Sequence, residues 1–220
     1  MNSSWSVVRV RAQRLVLAVL LVLSVGLAGC QAIRSVLYLF VPASKGPWVA
    51  AECEALSEGK IVLILVYADQ AVQYQHEQLA RYNTAEVVAA EMRSKLEVDV
   101  VDPAVVEQFQ AANINWSDQP LSKIGQRHEA DFVLYIELVE FSTAAEESGE
   151  LLRGRMEGRA SLHSVKEGPG QLWQSRVRAV YPPNRPEVAD IGVAEQIRYQ
   201  CLRLFAERLV SHFYGHREPL

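Results

Sequence analysis

The sequence predicts an α/β domain: a single mixed sheet of three parallel strands plus an antiparallel hairpin, packed with about four helices. Three observations carry this. Lys60–Tyr67 and Ala130–Ile136 are continuous apolar runs, rich in β-branched residues and too short for confident helices, as expected of strands covered on both faces. Segments of helical period lie between them, and a strand–helix–strand order favours parallel pairing. Leu152–Leu162 and Leu172–Tyr181 alternate apolar with polar residues on either side of Gly168-Pro169-Gly170, the pattern of a half-exposed hairpin.

Each element has its own signal. After the opening strand, Asn83 with Glu86 three residues on forms a capping-box-like pair, and Val88, Met92 and Leu96 repeat at helical spacing. A short strand is expected at Val98–Val101. Asp102-Pro103 then reads as an N-cap followed by a proline at the first helical position, opening a helix that carries Val105, Val106 and Phe109. Asn113–Gln119 is a loop and Pro120–Glu129 a short helix leading into the second buried strand, which shifts to alternation at Glu137–Phe141. In the hairpin, Leu152, Met156, Ala160 and Leu162 share one face, and so do Trp173, Val177, Ala179 and Tyr181 on the return strand. Pro182, Pro183 and Pro186 end it. A terminal helix near Ala189–Tyr214 directs Ala194, Ile197, Cys201, Leu204, Phe205, Leu209 and Phe213 toward the sheet.

The amino terminus has a different character. Arg9, Arg11 and Arg14 precede an apolar run from Leu15 to Ala28, which ends in Leu27-Ala28-Gly29-Cys30. The run is shorter than the roughly 20 residues that span a bilayer, and small residues stand where a peptidase must fit the chain. The tetrad resembles the lipobox of bacterial lipoproteins, which implies cleavage after Gly29 and acylation of Cys30. With each buried CH₂ contributing about 0.8 kcal/mol, two or three acyl chains anchor stably. Residue 31 is Gln, not the Asp of the enterobacterial inner-membrane retention signal, so the resemblance implies an outer-membrane site facing the periplasm.

The expected organisation is a signal peptide at 1–29, a lipidated apolar tether and linker at 30–58, the α/β domain at 59–214 and a tail at 215–220. The tether departs from the usual polar kind, because Ala32, Ile33, Val36, Leu37, Leu39, Phe40 and Val41 accompany a single charge, Arg34. Losing residues 1–29 removes three arginines and no acidic residue, making the net charge of -4 three units more negative. Such a chain is a poor non-specific ligand for nucleic acid. Roughly 190 remaining residues suffice for one domain with its own core. Cys53 and Cys201 remain after lipidation, in a compartment where a bridge would persist. A buried free thiol at Cys201 is the favoured reading, since that residue lies on the apolar stripe of a helix.

Two stretches resemble the periplasmic α/β domain shared by the curli-secretion pore lipoprotein, the lipoprotein activators of penicillin-binding proteins and the amino-terminal domain of the Tol-system propeller protein. Ile124–Leu134 is similar to their helix, Gly-Ala-Asp, strand segment, with His128-Glu129 in place of the glycine. Ala160–Gly168 with Leu172-Trp173 is similar to their hairpin. The likeness covers residues 59–214 and implies a fold and a cell-envelope setting.

The sequence carries no Gly-x-Ser-x-Gly elbow, Walker loop, His-Glu-x-x-His or Cys-x-x-Cys, and no cofactor or metal is implied. His128, Glu129 and Asp131 are close in sequence but straddle a helix-to-strand junction, so a solvated helix end with a turn-capping Asp outweighs a metal site. His212 and His216 are four apart, but Gly215 interrupts the helix between them and no third ligand is near. Glu146, Glu147 and Glu150 read as a solvated loop. The polar face of the hairpin is more informative: Arg153, Arg155, Arg159, Arg176 and Arg178 cluster on an acidic protein and are the candidate partner-binding residues. Cross-strand pairing with Glu137 and Glu157 competes with that role. The expectation is a non-catalytic lipoprotein, anchored through Cys30, that binds an envelope protein or another envelope component, with homo-oligomerisation left open. An envelope hydrolase or transferase with an unrecognised site, or a ring-forming subunit, is the alternative.

Overall fold

In chain order the elements are β1 (Trp48–Val49), β2 (Ile61–Ala68), α1 (Ala80–Leu96), β3 (Asp99–Val100), α2 (Pro103–Ala112), a 3₁₀ turn at Trp116–Asp118, and α3 (Leu121–Arg127). They continue with β4 (Phe132–Ala145), β5 (Leu151–Ser164), β6 (Gln171–Tyr181), β7 (Glu187–Val188), α4 (Val193–Ser211) and β8 (His216–Arg217). The computed structural model describes residues 46–68, 80–145, 151–166, 170–184, 187–188 and 192–217. The signal peptide, Cys30, the tether to residue 45, Glu146–Glu150, Gly168-Pro169, Pro186 and the tail past 217 lie outside the described residues. Residues 48–216 form one compact unit; the other unit, residues 1–47 and 217–220, is described only at 46, 47 and 217.

The main sheet runs β3-β2-β4-β5-β6, with β7 added to β5 beyond the reach of β6. β2 pairs in parallel with β3 and β4, and β5 pairs antiparallel with β4 and β6. This is the mixed sheet expected from the sequence, with four described α-helices. The continuous apolar run in β2 has its cause here. Val62, Ile64 and Val66 pack toward α1 and α4, while Leu63 and Leu65 pack with Val106 and Phe109 of α2 and Ile124 of α3. The parallel half therefore has three layers. Over the hairpin the described residues cover only one face, with α4 residues such as Phe205, Cys201 and Leu209 against Met156, Ala160, Val177 and Ala179.

Several boundaries differ from expectation. α1 runs from Ala80 straight through Asn83, so the Asn83–Glu86 pair is not its start. Burial overrides the capping preference there: Ala80 and Thr84 are buried, Thr84 Oγ1 donates to the Ala80 carbonyl at 2.7 Å, and Arg81 bonds Glu107 of α2 at 2.9 Å. Asp102 does cap α2, accepting from the Ala104 amide at 2.9 Å. The loop before α3 holds the 3₁₀ turn, whose Trp116 is buried edge-on to Tyr67.

β4 and β5 are each 14 residues long; β4 runs on from Phe141 to Ala145, and β5 extends the Leu152–Leu162 segment to Leu151 and Ser164. A bulge at Val139 makes this length compatible with one buried face. Before it the even residues Leu134, Ile136 and Leu138 point to the core; after it Phe141 does, opposite Met156. Without the extra residue Phe141 would fall on the open side.

Residues 50–58, expected as linker, form no strand but lie against the domain. Leu56 is buried in the main core, and the Glu52 and Cys53 amides donate to the His212 carbonyl at 2.8 and 3.2 Å. Glu52 receives the Trp173 indole N–H at 2.9 Å and meets His212 Nδ1 at 3.0 Å. These bonds, the indole's first, hold its carboxyl below the ordinary glutamate range despite the opposing effect of burial. Cys53 and Cys201 are both free thiols. Cys201 is wholly buried beside the Ala179 carbonyl, and burial pushes its thiol up to about 12.

Candidate functional site: the uncovered face of the sheet

Alternation along β5 turns Gly154, Met156, Gly158, Ala160 and Leu162 toward α4. A Cβ on Gly154 would touch Ile197 and Cys201, and one on Gly158 would stand 2.9 Å from Phe205 Cζ. The odd positions, including Arg153, Arg155, Glu157, Arg159 and Ser161, face the other way, where α2 and α3 do not reach. On β6 the same face receives Gln174, Arg176 and Arg178. The five candidate arginines thus share one uncovered face, and the structure brings them together as two adjacent strands must.

The register then assigns their neighbours. Glu157 lies opposite Arg178, and Arg159 lies opposite Arg176. Glu157 is buried, and its two carboxylate oxygens are held by Arg176 and Arg178. Burial raises its pKa, but the two arginine bonds outweigh that and keep it below the usual glutamate value. Arg159 pairs with Glu137 at 3.3 Å and stays well exposed. Arg153 donates to the Asn184 carbonyl at 3.5 Å, next to Pro182 and Pro183. Cross-strand pairing is therefore real. Among the described residues, the face carries these five arginines and the carboxylates of Glu137, Glu140 and Glu157, on a chain of net charge -4, and Arg153 and Arg155 have interactions of their own besides.

Where the helix layer ends, a shallow groove of about 310 Å³ opens along the strands, lined by Tyr135, Glu137, Arg159, Ser161, Gln174 and Arg176 among others. Pairing orders these six into two rows across β4, β5 and β6: Tyr135–Ser161–Gln174 and Glu137–Arg159–Arg176. One row is neutral and one is charged. Burial, then Glu137 and Tyr67, push the Tyr135 phenol up to about 12, so its hydroxyl keeps its proton near neutrality. Sequence reasoning found the arginines but not this groove. Tyr135, Gln171 and Gln174 carried no motif, and their proximity comes from register.

Of the remaining polar candidates, Asp131, His128, His212 and His216 are engaged in the fold. Asp131 accepts from the Ile61 amide at 3.1 Å and from Lys166, tying the starts of β2 and β4 to the end of β5. The Lys166 bond, then the Ile61 bond, lower its pKa against burial. His128 packs edge-on against Phe109 of α2, and burial depresses its pKa. Glu129 is exposed at φ 55°, a left-handed conformation. This is the position at which the resemblance would place glycine. His212 turns to Glu52, and His216 Nδ1 to the Tyr214 carbonyl at 3.2 Å, so the two histidines do not converge. Among the described residues no cluster of three or more His, Cys, Asp or Glu side chains is placed to hold a metal. Glu146, Glu147 and Glu150 lie outside them.

Fold and site together define an α/β domain with a mixed sheet, one half of which presents an arginine-rich polar face. No family model matches the chain, and no curated protein matches it. Among solved structures, lipoprotein GNA1162 from Neisseria meningitidis is 17% identical over 63% of this chain and 92% of its own, with a TM-score of 0.45. Protein XCC0632 from Xanthomonas campestris is 12% identical over 74% of this chain and 88% of its own, with a TM-score of 0.48. TolB from Acinetobacter baumannii is 10% identical over 75% of this chain and 30% of its own, with a TM-score of 0.34.

Proposed function

We propose that this chain is a non-catalytic, outer-membrane lipoprotein, anchored through Cys30, that holds another component of the cell envelope against the uncovered face of its sheet. The lipobox tetrad supports the anchor. The carrying observation for binding is the shared face of Arg153, Arg155, Arg159, Arg176 and Arg178 on an otherwise acidic protein, where the described carboxylates are those of Glu137, Glu140 and Glu157. Guanidinium groups suit forked bonding to carboxylate or phosphate, so an anionic surface of a partner fits there.

The test is capture from crosslinked native envelopes with charge-reversed variants. Arg176 is a poor choice for reversal, because a carboxylate there would face buried Glu157. Arg155→Glu with Arg159→Glu leaves the Glu157 pairings in place, trades the exposed Arg159–Glu137 pair for a solvent-screened repulsion, and is expected to lower partner recovery at least tenfold, with the circular-dichroism spectrum unchanged. Full recovery in a folded double variant would remove the face from consideration.

A further inference from the structure

We propose that the two-row groove is a binding subsite for one carboxylate-bearing sugar residue of an envelope glycan. This deepens the function proposed above and rests on the same uncovered face. Each row offers a different set of groups. In the neutral row, Tyr135 supplies a phenol hydroxyl and the flank of an aromatic ring, Ser161 a hydroxyl that also meets His163 Nε2 at 2.9 Å, and Gln174 an amide whose oxygen accepts from Gln171 at 2.7 Å and whose two N–H donors add to the row. That set matches the mixed donors and acceptors of sugar hydroxyls. In the charged row, Arg159 and Arg176 lie side by side across β5 and β6, with Glu137 and Glu157 holding one side of each. Each guanidinium has five donors, so an ion pair on one edge leaves others for a carboxylate placed between the two.

Dimensions agree with a small occupant. Three strands spaced about 4.8 Å apart and two rows about 6.6 Å apart frame a footprint suited to one sugar ring with its substituents. A volume of about 310 Å³ sits at the small end of ligand sites. The lining also differs from a protein-docking patch, whose centre is depleted in charge and rich in large apolar anchors. Among the described residues of the lining, Tyr135 is the one aromatic, and it is half-buried and keeps its hydroxyl proton. Charge selects the acidic class of sugar, because Arg159, Arg176 and Arg178 set three guanidiniums against the two carboxylates of Glu137 and Glu157.

The mature lipoprotein in lipid nanodiscs is titrated by calorimetry with tetragalacturonate, with neutral β-1,4-galactotetraose, and with tetraglutamate. Tetragalacturonate is expected to bind at least tenfold more tightly than either control. Gln174→Ala, which changes no charge, and Arg159→Gln are each expected to weaken it at least tenfold, with the thermal unfolding midpoint unchanged for Gln174→Ala. Equal binding of the neutral tetrasaccharide, or of tetraglutamate, overturns the proposal, the second pointing to an acidic peptide as occupant. Indifference to Gln174→Ala also overturns it. If tetragalacturonate fails while envelope capture still depends on Arg155 and Arg159, the saccharide subsite is refuted and the wider function of the face stands.

Discussion

Gly158 is the position where the packing of α4 on the hairpin can be tested most directly. Its Cα faces Phe205, whose ring is wholly buried, and an added Cβ would stand 2.9 Å from Cζ and 3.3 Å from Cε2. Carbon atoms in good contact are about 3.5–4.0 Å apart, so Gly158→Ala requires the ring to move by several tenths of an ångström. A ring locked in the core cannot retreat freely, and overpacking of this kind costs about 1–3 kcal/mol. Replacing glycine also restricts the unfolded chain, which returns about 0.4–1 kcal/mol. The net expectation is a loss of roughly 1–2 kcal/mol in urea unfolding followed by circular dichroism. Phe205→Leu should relieve the clash, so the double variant should lose less than the sum of the single losses, with a coupling of about 1 kcal/mol. Additive losses would refute the contact, and an unchanged midpoint for Gly158→Ala would refute the packing of α4 itself.

Four further outcomes follow from other parts of the structure. Glu129→Gly relieves a left-handed residue at φ 55° and should raise stability by up to about 1 kcal/mol in the same urea assay, with destabilisation counting against the strain. Glu52 has a lowered folded-state pKa, so its contribution is present above its ordinary value of 4.5 and lost as pH falls through the lower folded value; Glu52→Gln should flatten the acid side of the stability profile, and an unchanged profile would show that the Trp173 bond does not stabilise the fold. Half-buried Cys53 should react with a maleimide at pH 8 well before Cys201, whose thiol burial pushes up to about 12; equal rates by mass spectrometry would contradict that burial. Cys30→Ala should leave the precursor without acyl label, and retained label would reject the lipobox assignment.

The parallel core and the hairpin were legible because burial on both faces, or on one, writes its period directly into β2, the start of β4, β5 and β6. The face shared by the arginines was legible for the same reason. What escaped depends on partners distant in sequence. Asn83 has the chemistry of a cap, yet Ala80 and Thr84 are buried by neighbours and carry the helix past it. Glu52 bonds Trp173, 121 residues away, so nothing local separates it from a linker residue. The rows of the groove depend on strand register, which alternation alone leaves unfixed. The bulge at Val139 changes phase within β4, and a two-residue period cannot foresee its own interruption.

The unequal layering of the sheet also sets where the backbone opens. Amides of Val62–Val66 and Val133–Ile136 lie between two helix layers, whereas the distal parts of β5 and edge strand β6 have a helix on one side and, among the described residues, none on the other. Amide hydrogen exchange should therefore be graded along the molecule, slowest in the parallel strands and fastest at the far end of the hairpin. A molecule seated in the groove supplies the layer that this half lacks, so its arrival would be registered as slowed exchange in β5 and β6 while β2, already sealed, stays as it was.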